Sequence, residues 1–106
     1  MNKIELHQEI CNRLHEIYKQ KNEAYGDSFG DTYKKLGPIS AVTRITDKHN
    51  RLVNLVTNPD INIGDESIND TLLDMANYCI MTVIEQECKY NPQKGLPMWI
   101  VGDDDE

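Results

Sequence analysis

The chain has 106 residues, a hydrophobic share of 39% and a formal net charge of −7. This suits one globular domain with a modest core, and the acidic balance disfavours non-specific binding to nucleic acid or to an anionic membrane. No apolar run approaches the length of a membrane span and no signal peptide follows Met1, so the expected setting is the cytoplasm. Cys11, Cys79 and Cys88 lack the spacing of a disulfide framework or a zinc site, and Cys11 and Cys79 read as small core residues.

The first helix is expected over about 2–21. Ile10, Leu14, Ile17 and Tyr18 mark its buried side, with Ile4 and Cys11 beside them. Glu5, Glu9 and Glu16 lie on other faces, and His7 and His15 read as surface histidines. KNEAYGDSF follows, Lys21 to Phe29. Gly26 signals a turn or a C-cap, and Asp27 or Ser28 can cap the next helix, expected over 28–36. Tyr25 and Phe29 fit two readings, packing between helices or a loop that faces a planar ligand.

Gly37-Pro38 ends that helix and starts the third, expected over 39–57, with proline at a favoured first position. Ile45, Leu52, Val53 and Val56 supply its apolar face, with Val42 and His49 in register. Arg44, Asp47, Lys48 and Arg51 recur at helical steps as one polar ridge. Asn58-Pro59 opens a loop that runs to Asp65.

The fourth helix is expected over 66–89. Ile68, Leu72, Met75, Ala76, Cys79, Ile80 and Val83 form its core-facing stripe. Glu66, Asp70, Asp74, Asn77 and Met81 follow a second line. Stacked carboxylates at i and i+4 cost roughly 0.2–0.5 kcal/mol per pair. Solvent, basic residues of another helix or a bound cation must offset that repulsion. Residues 1–90 thus read as a helical domain and 91–106 as an extension with an acidic tail. The extension holds the apolar run Leu96 to Val101 and the only tryptophan, Trp99. Its expected resting place is the bundle or a neighbouring subunit. The whole is expected to be all-α, a compact bundle of about four helices in a homo-oligomer, most simply a two-fold dimer.

The two charged ridges admit three readings. Each is a solvated face; or the basic ridge binds phosphate while the acidic one binds metal; or the ridges pack together as an ionic network.

Three blocks carry a family pattern: KNEAYGDSF, then RITDKHNRLVNL from Arg44, then ESINDTLLDMANYCIM from Glu66. Together they resemble the nucleotide-modification-associated domain family, the first of that name, known mainly from phage and prophage genomes. A wider likeness is to the all-α nucleotide pyrophosphohydrolases of the MazG and dimeric dUTPase type. In those, facing helices present paired acids that hold magnesium on a nucleoside triphosphate. The resemblance implies a nucleotide or nucleotide-derived ligand, handled in the host cytoplasm if the chain is phage-encoded. It implies Mg²⁺ on Glu66, Asp70 and Asp74. The nucleotide and its phosphates would meet Arg44, Lys48, Arg51, Lys21, Asn22, Tyr25 and Asn77. The likeness departs at the partner helix, where two glutamates are expected and Arg44, Asp47, Lys48 and Arg51 stand instead. Two functions stay open: a Mg²⁺-dependent pyrophosphohydrolase, or a non-catalytic sponge that sequesters a nucleotide or a cyclic nucleotide signal. A purely structural helical oligomer is the third.

Overall fold

The structure, a computed structural model, describes residues 2–58, 60 and 65–88, and for residues 65–67 the backbone alone. Four helices make up the described chain: α1 (Lys3–Tyr25), α2 (Ser28–Leu36), α3 (Pro38–Thr57) and α4 (Asp65–Cys88). There is no strand among the described residues. The all-α expectation holds. Among the described residues no helix is long and apolar enough to cross a membrane. The expected extension over 91–106, with its Leu96–Val101 run, lies outside the described residues.

Local chemistry sets the boundaries. Asn2 caps α1 by accepting from the Glu5 amide at 2.9 Å. Gly26 ends it with φ +67°, its amide donating back to the Asn22 carbonyl. Positive φ is open to glycine at little steric cost, which explains the stop. Asp27 then caps α2 through the Gly30 amide at 3.2 Å. Gly30 is needed there, since a Cβ would collide with the Asp27 carboxylate. Gly37, with φ +80°, closes α2, and Pro38 opens α3 without losing a helical hydrogen bond.

α3 and α4 form the main helix pair, with α2 packed across α3. The core is small. Phe29, Tyr33 and Ala41 are buried together, and Tyr78 and Met81 pack against them. Phe29 stacks between Tyr33 and Tyr78, with ring centroids 6.5 and 5.9 Å away. Tyr33 is 1% exposed, and the Gln86 amide donates to its hydroxyl. Burial, with the charge of Glu85 second, pushes the Tyr33 phenol above its ordinary pKa. Leu14 of α1 and Leu55 of α3 are the other buried apolar side chains among the described residues.

Several expectations about faces need correction. The α4 stripe does not face the core: Leu72, Ile80 and Val83 are 44%, 47% and 51% exposed, and Cys79 is exposed too. The buried residues of α4 are polar, Thr71, Asn77 and Glu85. The seam of α3 is also turned. Ala41 and Leu55 are buried, while Val42, Val53, Val56 and His49 are exposed. Cys11 is exposed because the N-terminal half of α1 stands clear of the described bundle, with Ile4 82% exposed. Apolar periodicity identifies a face that water disfavours. It does not identify what covers that face.

Ala41 has no exposed surface and sits between aromatic rings. Ala41→Leu should therefore destabilise the fold by about 1–3 kcal/mol through overpacking. Urea denaturation of the full chain reads that loss, with Val42→Leu on the exposed side of the same helix as the near-neutral control.

Candidate functional site

Two helix stripes with the same spacing face each other. On α1 they are Tyr18, Lys21, Asn22 and Tyr25; on α4 they are Asp74, Asn77, Tyr78 and Met81. Both run i, i+3, i+4, i+7, the spacing of one helical face. The Gly26–Phe29 turn and Arg44 of α3 complete the lining. The cleft is half open to solvent and has a volume of about 460 Å³, within the range of roughly 300–1,000 Å³ usual for small-molecule sites. Its lining combines aromatic rings with two cations and two carboxylates.

α3 and α4 mate in an antiparallel register. Arg44 lies over the Tyr78 ring, 5.9 Å from its centroid. Lys48 reaches Asp74 Oδ2 at 3.1 Å, and Arg51 Nε donates to Thr71 Oγ1 at 3.2 Å. Residue numbers rise by four and three along α3 as they fall by four and three along α4. The basic ridge therefore packs on α4, as the network reading requires, but its partners are Thr71, Asp74 and Tyr78. Asp47 and Asp70 of the expected ridges stay exposed.

Asp74 is the junction. Its second oxygen, Oδ1, accepts from Lys21 of α1 at 3.2 Å. Burial works against ionising this carboxyl. The hydrogen bonds from Lys48 and Lys21, with the charges of both, outweigh it and hold the carboxyl below the usual range. A second polar tie joins α1 to α4, from Asn77 Nδ2 to the Leu14 carbonyl at 3.1 Å.

The sequence-predicted nucleotide set is thus partly assembled. Lys21, Asn22, Tyr25, Arg44 and Asn77 line the cavity. Lys48 and Arg51 face α4 outside it. Tyr25 does not pack between helices but projects, 74% exposed, at the cavity's edge, while Phe29 is both core and lining. Residue type alone does not single out Tyr78 and Met81 as ligand-facing, and Tyr18 reads from sequence as core. The signal that finds them is the shared spacing of the two stripes. It is hidden when the first helix is ended at Lys21, because the last turn of α1 then becomes a loop.

The expected magnesium set is described only in part. Each oxygen of Asp74 is engaged by a lysine, Asp70 is exposed, and Glu66 lies in the first turn of α4, where the backbone alone is described. Among the described residues no three His, Cys, Asp or Glu side chains come together as a cation site.

These elements match one family. The profile of the nucleotide modification associated domain 1 matches residues 12–86, from the middle of α1 almost to the end of α4. The chain belongs to this family, and every cavity-lining residue falls inside the matched span. No curated protein and no solved structure matches the chain.

The depressed Asp74 pKa links the junction to pH. Its stabilising contribution is present above the unfolded carboxyl pKa of about 3.9 and is lost as pH falls through the lower folded value. Asp74→Asn should therefore be clearly less stable than wild type at pH 7, and the gap should narrow as the pH falls below about 4. Denaturation curves of both proteins over a series of pH values check this.

Proposed function

We propose that the chain binds a nucleotide in the cavity between α1 and α4. The carrying observation is the meeting of aromatic rings and cations in one cleft, in a family associated with nucleotide modification. Tyr18 and Tyr25 offer aromatic surface to a base and sugar, and Phe29 and Tyr78, already stacked on each other, complete the apolar lining. Lys21 and Arg44 offer donors to phosphate, Arg44 in the fork geometry that phosphate oxygens accept. Asn22 and Asn77 each carry a donor and an acceptor for base edges or sugar hydroxyls.

Capture without turnover is the reading we favour. Hydrolysis of the MazG type needs acids free to hold magnesium, and Asp74 is engaged by two lysines. The cytoplasm suits this reading, since the three thiols are free and exposed, as a reducing compartment keeps them. Calorimetric titration with a panel of nucleotides, with and without Mg²⁺, tests it. Arg44→Ala should lose about ten- to a hundred-fold in affinity, the equivalent of one charge-assisted hydrogen bond. Arg51→Ala, outside the cavity, should stay near wild type. Release of pyrophosphate with Mg²⁺ would overturn capture in favour of the enzyme. No binding at millimolar nucleotide would overturn both.

The protein is also proposed to work as an assembly of its own copies. The support is the outward stripe of Leu72, Cys79 and Val83 on α4, set against a core of few buried apolar residues among those described. A second copy is the fitting occupant, because a small acidic chain gains core by pairing apolar faces around a two-fold axis. Val83→Glu should shift the mass measured by light scattering from oligomer to monomer. A wild type that stays monomeric at high concentration would overturn the proposal.

A further inference from the structure

If the cavity binds a nucleotide, the charges around it bear on which nucleotide it takes. The lining holds two cations, Lys21 and Arg44, and two carboxylates, Asp27 and Asp74. Lys48 adds a third cation from just outside, on Asp74 Oδ2. One positive charge is left over. Its natural bearer is Arg44, which makes no salt bridge among the described residues and lies instead over the Tyr78 ring. Lys21 is held by Asp74 at 3.2 Å. The start of α2, which would otherwise offer amide donors to an anion, is already capped by the Asp27 carboxylate.

We infer that the cavity selects a nucleotide carrying a single phosphate group, as a monoester or a diester, over a nucleoside triphosphate; this rests on the proposed nucleotide binding. A phosphomonoester carries about −1.5 to −2 at neutral pH; a diester carries less and a triphosphate roughly twice as much. One surplus cation in a chain of net charge −7 balances a diester, leaves a monoester with about one charge or less uncovered, and leaves a triphosphate with far more, which the acidic chain repels. Asp74 is the specificity-determining residue. It withdraws Lys21 and Lys48 from phosphate and adds its own negative charge to the wall. Asp27, a second carboxylate in the lining, adds to the repulsion.

The test is calorimetric titration of the full chain in EDTA with one base in four forms: nucleoside, 5′-monophosphate, 3′,5′-cyclic monophosphate and 5′-triphosphate. The expected result is that at least one single-phosphate form binds at least tenfold tighter than both the nucleoside and the triphosphate. Which of the two binds tighter tells monoester from diester. Asp74→Asn should narrow the gap to the triphosphate by releasing both lysines. A triphosphate that binds wild type as tightly as either single-phosphate form would overturn the inference and leave the nucleotide reading standing. Nucleoside binding as tight as the phosphorylated forms would overturn it too. Failure of all four forms, repeated with the other bases, would overturn the nucleotide reading itself. If Asp74→Asn does not fold, the wild-type comparison alone decides, and Asp27→Ser, which keeps a capping oxygen, supplies the second variant with the same expected direction.

Discussion

Three helices meet at one carboxylate. Asp74 of α4 accepts from Lys48 of α3 on one oxygen and from Lys21 of α1 on the other. A carboxylate partly withdrawn from water is well tolerated only while it is paired. The rotation of α4 follows from that. With Lys48 and Asp74 as a fixed point, the antiparallel register carries Arg44 to Tyr78 and Arg51 to Thr71. The polar side of α4 is thereby turned inward and its apolar stripe outward. Desolvation offsets part of the attraction, and the two lysines outweigh it. The junction also acts on geometry, in fixing which face of each helix meets which.

That geometry explains why the core is small and aromatic. Charged and polar side chains of Arg44, Lys48 and Arg51 meet α4 along its seam with α3, and the one cluster of buried apolar residues among those described lies at the corner where α2 crosses. There Phe29 and Tyr33 meet Ala41, Tyr78 and Met81. The smallness of Ala41 lets α3 approach the rings. Tyr78 belongs to both worlds, with Phe29 stacked against it and the Arg44 guanidinium lying over it. The ring that anchors the core is thus also part of the cavity wall, and a rigid wall needs such an anchor.

Much of the fold is legible in the sequence. Gly26, Asp27 and the Gly37-Pro38 pair mark the ends of α1, α2 and α3 because each enforces a local backbone or capping geometry. Facing is less legible. On α4 the residues Leu72, Cys79, Ile80 and Val83 read as core by period, yet the polar line through Asp74 and Asn77 is the one that packs. Period alone cannot choose between a face that meets its own chain and a face left for another copy. The candidate site follows the same division. Lys21, Asn22, Tyr25, Arg44 and Asn77 are recoverable as a set from residue type and family likeness. That Lys48 and Arg51 are used up against α4, and that Asp74 is held by lysines, depends on the register between helices. Tyr78 is the clearest loss: its two roles exist only once α2, α3 and α4 are together.

The place of the cavity has a physical origin. α1 is tied to α4 by Lys21–Asp74 and Asn77–Leu14, polar contacts rather than interlocked apolar side chains. Polar ties hold helices at the length of a side chain and a hydrogen bond, and the gap between them is not filled. Two hollows result, the large one beside Arg44 and a smaller one of about 230 Å³ beside Cys11 and Ile84. Tyr18, Asn77 and Met81 line both and so form the partition between them. The partition is fixed at its centre by the Asn77 bond to the α1 backbone. The large hollow gathers every Asp, Lys and Arg side chain of the two linings, while the small one is almost wholly apolar. A phosphorylated ligand is directed to the first by charge, and the second is left to the packing of α1.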